Sequence, residues 1–205
     1  MKWIAALSIV AVASCATPTA PPRDHFDRLT ALCGKAFEGR IVSPPVAADA
    51  SFAGQRLVIH VRDCSRDTIR IPFHVGDDRS RTWVITRTER GLRLKHDHRH
   101  RDGSEDKVTQ YGGDSTGPGT ATRQLFPADA FTKALLVREN NPAGATNVWA
   151  LEVGSKVFAY ELRRPARFFR VEFDLLRPVA LPPAPWAQCQ HSPGSRKTAD
   201  ACVSP

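Results

Sequence analysis

Three alternating histidines are the residues of this chain best suited to chemistry. Residues 91–106 read GLRLKHDHRHRDGSED, so that Leu92, Leu94, His96, His98 and His100 share one parity. Successive side chains of a β-strand point to opposite faces, and a strand here therefore places three imidazoles in line behind two leucines. Imidazoles at positions i and i+2 lie about 7 Å apart and can both bind one metal ion. The pattern predicts a site for zinc or another transition metal at His96, His98 and His100.

Two other interpretations of this stretch stay open. A metal site needs ligands that converge from a second element, and the candidates for that role are His60, His74, Asp77 and Asp78. The neighbouring cations Lys95, Arg99 and Arg101 reduce affinity for a further cation and favour a solvated, polar strand end. A polar ligand pocket is the third interpretation.

Most of the chain has the pattern of short strands bounded by turn residues, which indicates an antiparallel barrel or sandwich. The predicted strands are 56–62, 68–75, 82–88, 92–100, 108–111, 148–153, 157–162 and 168–175. A short helix precedes them, with Asp24 as its N-cap and Gly34 as its C′ residue. A glycine-rich loop is expected at 111–122, and a second short helix at 126–135 with Asp129 near its cap.

Two hairpins can be aligned residue by residue. Between 148 and 162, a two-residue turn at Gly154-Ser155 pairs Trp149 with Tyr160 and Leu151 with Phe158 on a buried face. The opposite face, which carries Glu152 and Glu161, is expected to contact water. Between 82 and 96, a three-residue loop opposes Val84 and Thr86 to Leu94 and His96, whereas a two-residue loop opposes Trp83 and Ile85 to them; the sequence does not decide.

The large aromatic side chains are the candidate lining of a ligand cup. Trp83, Trp149 and Tyr160 are expected in the barrel core, and they line a pocket if the barrel is wide enough. The arginines of the last predicted strands are expected to point outward into solvent: Arg163, Arg164, Arg167 and Arg170.

The N-terminus has the layout of a secretory signal peptide, with Lys2, an apolar stretch at 3–13 and small residues after it. Val12-Ala13-Ser14-Cys15 resembles the lipobox of bacterial lipoproteins. This resemblance implies that 1–14 is removed and that Cys15 carries the acyl chains. With Ala16 after the cysteine, it also implies an outer-membrane location facing the periplasm. The expected parts are then a Pro-rich tether at 15–22, a folded domain at 23–186 and a polar tail at 187–205.

Charge and cysteine content agree with an envelope location. The net charge of +8 would indicate nucleic acid in the cytosol, but behind a lipoprotein signal we expect no nucleic-acid partner and instead anionic lipid or envelope polymers. Four cysteines other than Cys15 allow three disulfide pairings. We expect the pairs nearest in sequence, Cys33–Cys64 and Cys189–Cys202, because each closes a loop of moderate size.

The order of elements supplies a second resemblance. An N-terminal helix, then Gly34-Lys35-Ala36-Phe37-Glu38-Gly39, then about eight antiparallel strands resembles the lipocalin or calycin group of barrels. That resemblance implies a cup for one small hydrophobic ligand, or for haem in the nitrobindin-like branch.

These features favour a lipid-anchored, non-catalytic binding module for a small ligand or an envelope component, since no catalytic motif is evident. The alternatives are a metal-binding protein or small metalloenzyme that uses the histidine strand, and a purely structural envelope protein. A closed apolar cup favours the binding module, convergent ligands favour the metal protein, and a filled barrel favours the structural role.

Overall fold

A computed structural model describes residues 24–117 and 119–186, which form an all-β antiparallel barrel. The expectations for the signal peptide (1–14), the tether (15–22), Cys15, the tail (187–205) and the Cys189–Cys202 bridge lie outside the described residues. No helix in the described part of the chain is long and apolar enough to cross a membrane.

The described residues form eleven strands. They are β1 Ala36–Ile41, β2 Leu57–His60, β3 Asp63–Cys64, β4 Thr68–Val75, β5 Asp78–Thr88, β6 Gly91–His98, β7 Tyr111–Asp114, β8 Arg123–Pro127, β9 Val148–Val153, β10 Val157–Arg164 and β11 Arg167–Val179. The α-helices are α1 His25–Thr30 and α2 Ala130–Arg138, and the 3-10 helices are Ala47–Phe52 and Pro142–Thr146. The predicted N-caps are confirmed, because the carboxylates of Asp24 and Asp129 accept hydrogen bonds from Asp27 N and Thr132 N. The predicted C′ residue Gly34 is wrong, because α1 ends at Thr30 with Ala31 as its C-cap.

The sheet is an up-and-down meander whose first and last strands pair with each other. The strand order is β7-β6-β5-β4-β2-β1-β11-β10-β9-β8, and the short β3 pairs only with β4. The path has ten strands where eight were predicted. The two extra strands are β1, which the sequence indicated only through the Gly34–Gly39 resemblance, and β8, whose five residues include Pro127.

The barrel closes at a seam between β7 and β8. A few backbone hydrogen bonds join the two segments here in place of a regular strand ladder. Thr116 N donates to Leu125 O at 3.1 Å, and Asp129 N donates to Gly112 O at 3.0 Å. A Cβ atom on Gly113 would lie 1.9 Å from Pro127 O. Glycine is therefore required here for two backbones to approach, and part of the predicted glycine-rich loop is in fact strand β7.

Replacing Gly113 with alanine is expected to lower the free energy of unfolding by about 2–3 kcal/mol, because the new methyl group overlaps backbone atoms that have no room to move. Urea unfolding followed by circular dichroism measures this change. The matched control is Gly154→Ala, whose Cβ would meet Val157 O at an ordinary 3.4 Å. Similar stabilities for the two variants would contradict the tight seam.

The β9–β10 hairpin has the predicted inner face but a different turn. Phe158 pairs with Val153 and Tyr160 with Leu151, so the turn residues are Ser155-Lys156 and not Gly154-Ser155. Trp149 consequently lies opposite Leu162. The shift changes the cross-strand partners but preserves parity, so the same side chains still point inward.

The β5–β6 hairpin has the shorter of its two predicted loops. Thr88 pairs with Gly91, which leaves Glu89-Arg90 as the turn, and Trp83 pairs with His96. This register directs the indole of Trp83 and the imidazole of His96 to the same inner face of the barrel.

One predicted disulfide is confirmed. Cys33 and Cys64 are bonded, with their Cα atoms 6.3 Å apart. The bridge ties the segment after α1 to the short strand β3, and so fastens the N-terminal helix to the barrel wall.

The outer face of β9–β11 is not the water-exposed face that the sequence predicted. The Glu161 side chain is 2% exposed and forms ion pairs with Arg123, Arg163 and Arg170. Burial raises the pKa of Glu161, but the hydrogen bonds from these arginines outweigh burial and lower the pKa to about 2. Arg170 is thus a partner in a carboxylate cluster and not a free solvated cation.

Candidate functional site: an aromatic cavity at one end of the barrel

One end of the barrel encloses a cavity of about 180 Å³. Six strands contribute lining residues from the parts that lie at this end of the barrel. These parts are the ends of β4, β6 and β10 and the first halves of β5, β9 and β11. The inward residues from these strands are Phe73, Trp83, His96, His98, Trp149, Tyr160, Leu162, Arg164, Arg167 and Phe169. An engineered apolar cavity of about 150 Å³ accommodates benzene, so this volume fits a ligand with one ring.

Helix α2 covers one side of the cavity. The Thr132 hydroxyl is fully buried, accepts a hydrogen bond from Gly112 N and donates one to Gly112 O, both at 2.8 Å. These two hydrogen bonds to β7 fix the helix so that Leu136, one turn later, lies against the cavity. Gly112 therefore takes part both in the seam that closes the barrel and in the hydrogen bonds that hold α2 over the cavity.

The three residues predicted as a ligand pocket, Trp83, Trp149 and Tyr160, all border this cavity. The rings of Trp83 and Tyr160 are stacked, with centroids 4.3 Å apart and planes 4° from parallel. The Trp149 ring lies 5.2 Å from that of His96. The faces that Trp83 and Tyr160 turn toward each other are covered by this stacking, so the remaining surface of the three rings borders the cavity.

His96 links Tyr160, which with Trp83 and Trp149 forms the aromatic wall of the cavity, to the backbone of β7. Its Nδ1 lies 3.1 Å from Tyr111 O, and its Nε2 lies 2.9 Å from the Tyr160 hydroxyl oxygen. A carbonyl oxygen only accepts, so Nδ1 carries the proton and Nε2 accepts from the tyrosine O–H. Burial, with a contribution from His98, lowers the pKa of His96 to about 3. The ring is therefore neutral and both of its nitrogens are occupied.

His98 and Tyr111 form a second pair beside the first. The Tyr111 hydroxyl lies 3.1 Å from His98 Nε2, and the Tyr111 ring stacks on His96 at 4.4 Å. Burial and the positive charge of Arg81 lower the pKa of His98 to about 4. Burial also raises the pKa values of Tyr111 and Tyr160 above that of free tyrosine. All four groups are uncharged at neutral pH.

The structure does not bring His96, His98 and His100, the three predicted metal ligands, together. Strand β6 ends at His98, and the exposed His100 lies 3.8 Å from Asp106 and away from the other two imidazoles. Within residues 24–117 and 119–186, no group of three or more His, Cys, Asp or Glu side chains is arranged to hold a metal ion. The alternation placed His96 and His98 correctly on the inner face, where both nitrogens of His96 and Nε2 of His98 form hydrogen bonds with Tyr111 or Tyr160.

The cavity has a basic rim, formed by Arg81, Asn141, Arg164 and Arg167, which are all less buried than the aromatic wall. Arg81 forms an ion pair with Asp78, and Arg167 forms one with Asp49. Arg164 and Arg167 were predicted to point outward. Arg164 has the same parity as Tyr160 on β10, and Arg167 has the same parity as Phe169 on β11. Both arginines therefore point inward, and the prediction was wrong.

Several functional residues were missed from the sequence. Tyr111 was assigned to the end of a strand that leads into the glycine-rich loop, and Asn147 lay outside every predicted strand and helix. The available signal for Arg164 and Arg167 was parity, because each continues an inward series of its strand by two residues. Residue type indicates the opposite face, since arginine is rarely buried.

Comparison with protein-family models, with curated proteins and with solved structures found no match to this chain. The interpretation of the site consequently depends on its own geometry and chemistry.

Proposed function

We propose that this chain is a lipid-anchored periplasmic envelope protein whose barrel binds a small ring-containing ligand without transforming it. The observation that carries the proposal is the cavity of about 180 Å³, lined by the stacked rings of Trp83 and Tyr160 and by Trp149. Largely preformed, mostly apolar cavities with a few convergent polar groups are the usual form of small-molecule sites.

The chemistry of the cavity supports binding more than catalysis. A general base works best with a pKa near the working pH, whereas the pKa values of His96 and His98 are about 3 and 4. Both nitrogens of His96 are already engaged by tyrosines. Such a network orients rings and fixes the shape of the cavity.

The anchor part of the proposal is supported by Val12-Ala13-Ser14-Cys15 and by the proline-rich segment that follows. Two or more acyl chains give stable membrane attachment where one chain is marginal. We expect the protein to incorporate labelled palmitate in a bacterial host and to fractionate with the outer membrane. The Cys15→Ser variant is expected to lose the label, and retention of the label would contradict acylation at this residue.

Ligand binding is testable with benzyl alcohol, a neutral single-ring probe, by saturation-transfer NMR on the purified protein. We expect transfer to the ring protons, with a dissociation constant on the order of 1 mM for so small a molecule. The Val108→Phe variant adds a ring at the cavity wall and is expected to abolish the transfer, because Val108 borders the cavity.

The matched control is Val137→Phe, which makes the same substitution at a 55% exposed position of α2. We expect this variant to bind as the unchanged protein does. Absence of transfer in the unchanged protein, or equal transfer in both variants, would contradict binding inside the barrel.

A further inference from the structure

We propose that Arg164 and Arg167 hold the carboxylate of a small aromatic acid whose ring occupies the cavity. This inference rests on the proposed binding function and names the class of ligand. It is carried by three observations at the cavity rim: the register of the two arginines, the distribution of charge around them, and the polar atoms that have no partner.

The register places two like charges face to face. Arg164 and Arg167 are directly opposed at the end of the β10–β11 ladder, on the inner face. Like charges in opposed positions destabilise a strand pair, since their side chains lie close and share the same face. An anion between the two guanidinium groups would convert this repulsion into attraction.

Among the described residues, only Arg167 of these two arginines forms an ion pair, although the charge of Asp49 acts on both. Asp49 is buried and pairs with Arg167, while Arg81 pairs with Asp78. In the described part of the chain, Arg164 forms no ion pair within 4 Å. The histidines and tyrosines of the wall are neutral, as shown above, so the cavity carries one positive charge beyond its carboxylates.

The unpaired polar atoms lie around the same place. The buried atoms without a hydrogen-bond partner include two donors of residues that border the cavity, Arg164 Nη1 and Arg167 Nε. They also include two acceptors, Asn147 Oδ1 and Asp49 Oδ2. A buried donor or acceptor left without a partner is costly, and most such groups in folded proteins are paired. A bound carboxylate supplies acceptors for the two arginine donors, whereas it offers no donor to the two oxygen atoms.

The arrangement matches a ring that bears a carboxylate. Guanidinium groups bind carboxylates through parallel, charge-assisted hydrogen bonds in a planar geometry. From the rim, the ring of such a ligand extends inward to the faces of Trp149 and Tyr160, and the volume admits one ring. The polar group then remains at the more solvated end and the apolar part reaches the buried end.

Benzoate and benzamide provide the test, because they have nearly the same shape and differ in charge. By isothermal titration of the purified protein at low salt, we expect benzoate to bind at least about tenfold more tightly than benzamide. The Arg164→Gln variant is expected to lose most of that difference, because benzoate loses more affinity than benzamide does. Since Arg164 forms no internal ion pair, we also expect this variant to unfold at the same temperature as the unchanged protein or above it.

Arg90→Gln is the matched control, because it removes the same charge from an exposed turn at the opposite end of the barrel. We expect it to retain the preference for benzoate. Equal affinities for benzoate and benzamide in the unchanged protein, or equal losses in both variants, would overturn the carboxylate site and leave neutral binding intact. Failure of benzoate, benzamide and benzyl alcohol alike would overturn the binding function, and the carboxylate site with it.

Discussion

Lowering the pH from 7 to 5 is expected to reduce the free energy of unfolding of this barrel steeply. Four buried or largely buried histidines have lowered pKa values: His25, His74 and His98 of about 4, and His96 of about 3. Desolvation by burial is the main cause in each. The unfolded chain binds a proton at each site near pH 6.5, whereas the folded chain does not until the lower value is reached.

The sign follows from this difference in proton binding. The unfolded state holds more protons between about pH 4 and pH 6.5, so stability falls as the pH falls through that interval. Each histidine contributes roughly 1.4 kcal/mol per pH unit. Four of them together remove about 5 kcal/mol per unit, which is comparable with the whole stability of many domains. Urea unfolding at a series of pH values measures the slope.

A substitution of His25 tests whether the buried histidines cause this dependence of the free energy of unfolding on pH. Both ring nitrogens of His25 are buried without a hydrogen-bond partner. Replacing this residue by leucine is expected to raise stability at pH 7, because an unpaired polar ring is removed from the core. It is also expected to flatten the slope by about one proton. A urea midpoint that does not change between pH 7 and 5 would contradict the neutral, buried state of these histidines.

The second large effect is expected at Glu161. Replacing it by glutamine should lower the free energy of unfolding by about 3–5 kcal/mol, because three guanidinium groups lose the buried carboxylate that neutralises them. The lowered pKa adds a dependence on pH with a defined sign. The stabilisation is complete above the unfolded-state pKa of about 4.3 and is lost as the pH falls toward about 2.

Glu152→Gln is the matched control for Glu161. Glu152 pairs with two of the same arginines, Arg123 and Arg170, but its side chain is 36% exposed. Water replaces much of its interaction, so we expect a loss of about 1 kcal/mol or less. Chemical denaturation at pH 7 compares the two variants. Equal losses would show that burial of Glu161 does not decide the energetics of the cluster.

The sequence predicted which side chains face inward better than it predicted what they contact. Alternation along β6 was enough to place His96 and His98 inside, because parity is a local property of a strand. The partner of His96, Tyr160, is 64 residues away. Its identity depends on how β6 and β10 face each other across the barrel, which local spacing does not encode.

The wrong turn in β9–β10 shows the same limit. A shift by two residues moved Trp149 from Tyr160 to Leu162 without changing the inner face. Trp83, Trp149 and Tyr160 therefore border one cavity even though the predicted cross-strand pairs of Trp149 and Tyr160 were wrong.

Charged residues were the least predictable part of the molecule. Alternation distinguishes the inner from the outer face, but it does not reveal that Glu161 on the outer face is covered by arginine side chains. Nor does it reveal that Arg164 and Arg167 point into the barrel end. Long side chains bury apolar stems and place their charges some distance from the backbone, so tertiary contacts decide their environment.

We propose above all that the cavity beneath the basic rim binds a ligand with a single ring. A crystal structure of the protein soaked with benzyl alcohol tests this proposal most directly. We predict electron density for the ring inside the barrel, in contact with Trp83, Trp149 and Tyr160. A cavity that holds only water at saturating probe concentration, or that its own side chains fill, would contradict the claim.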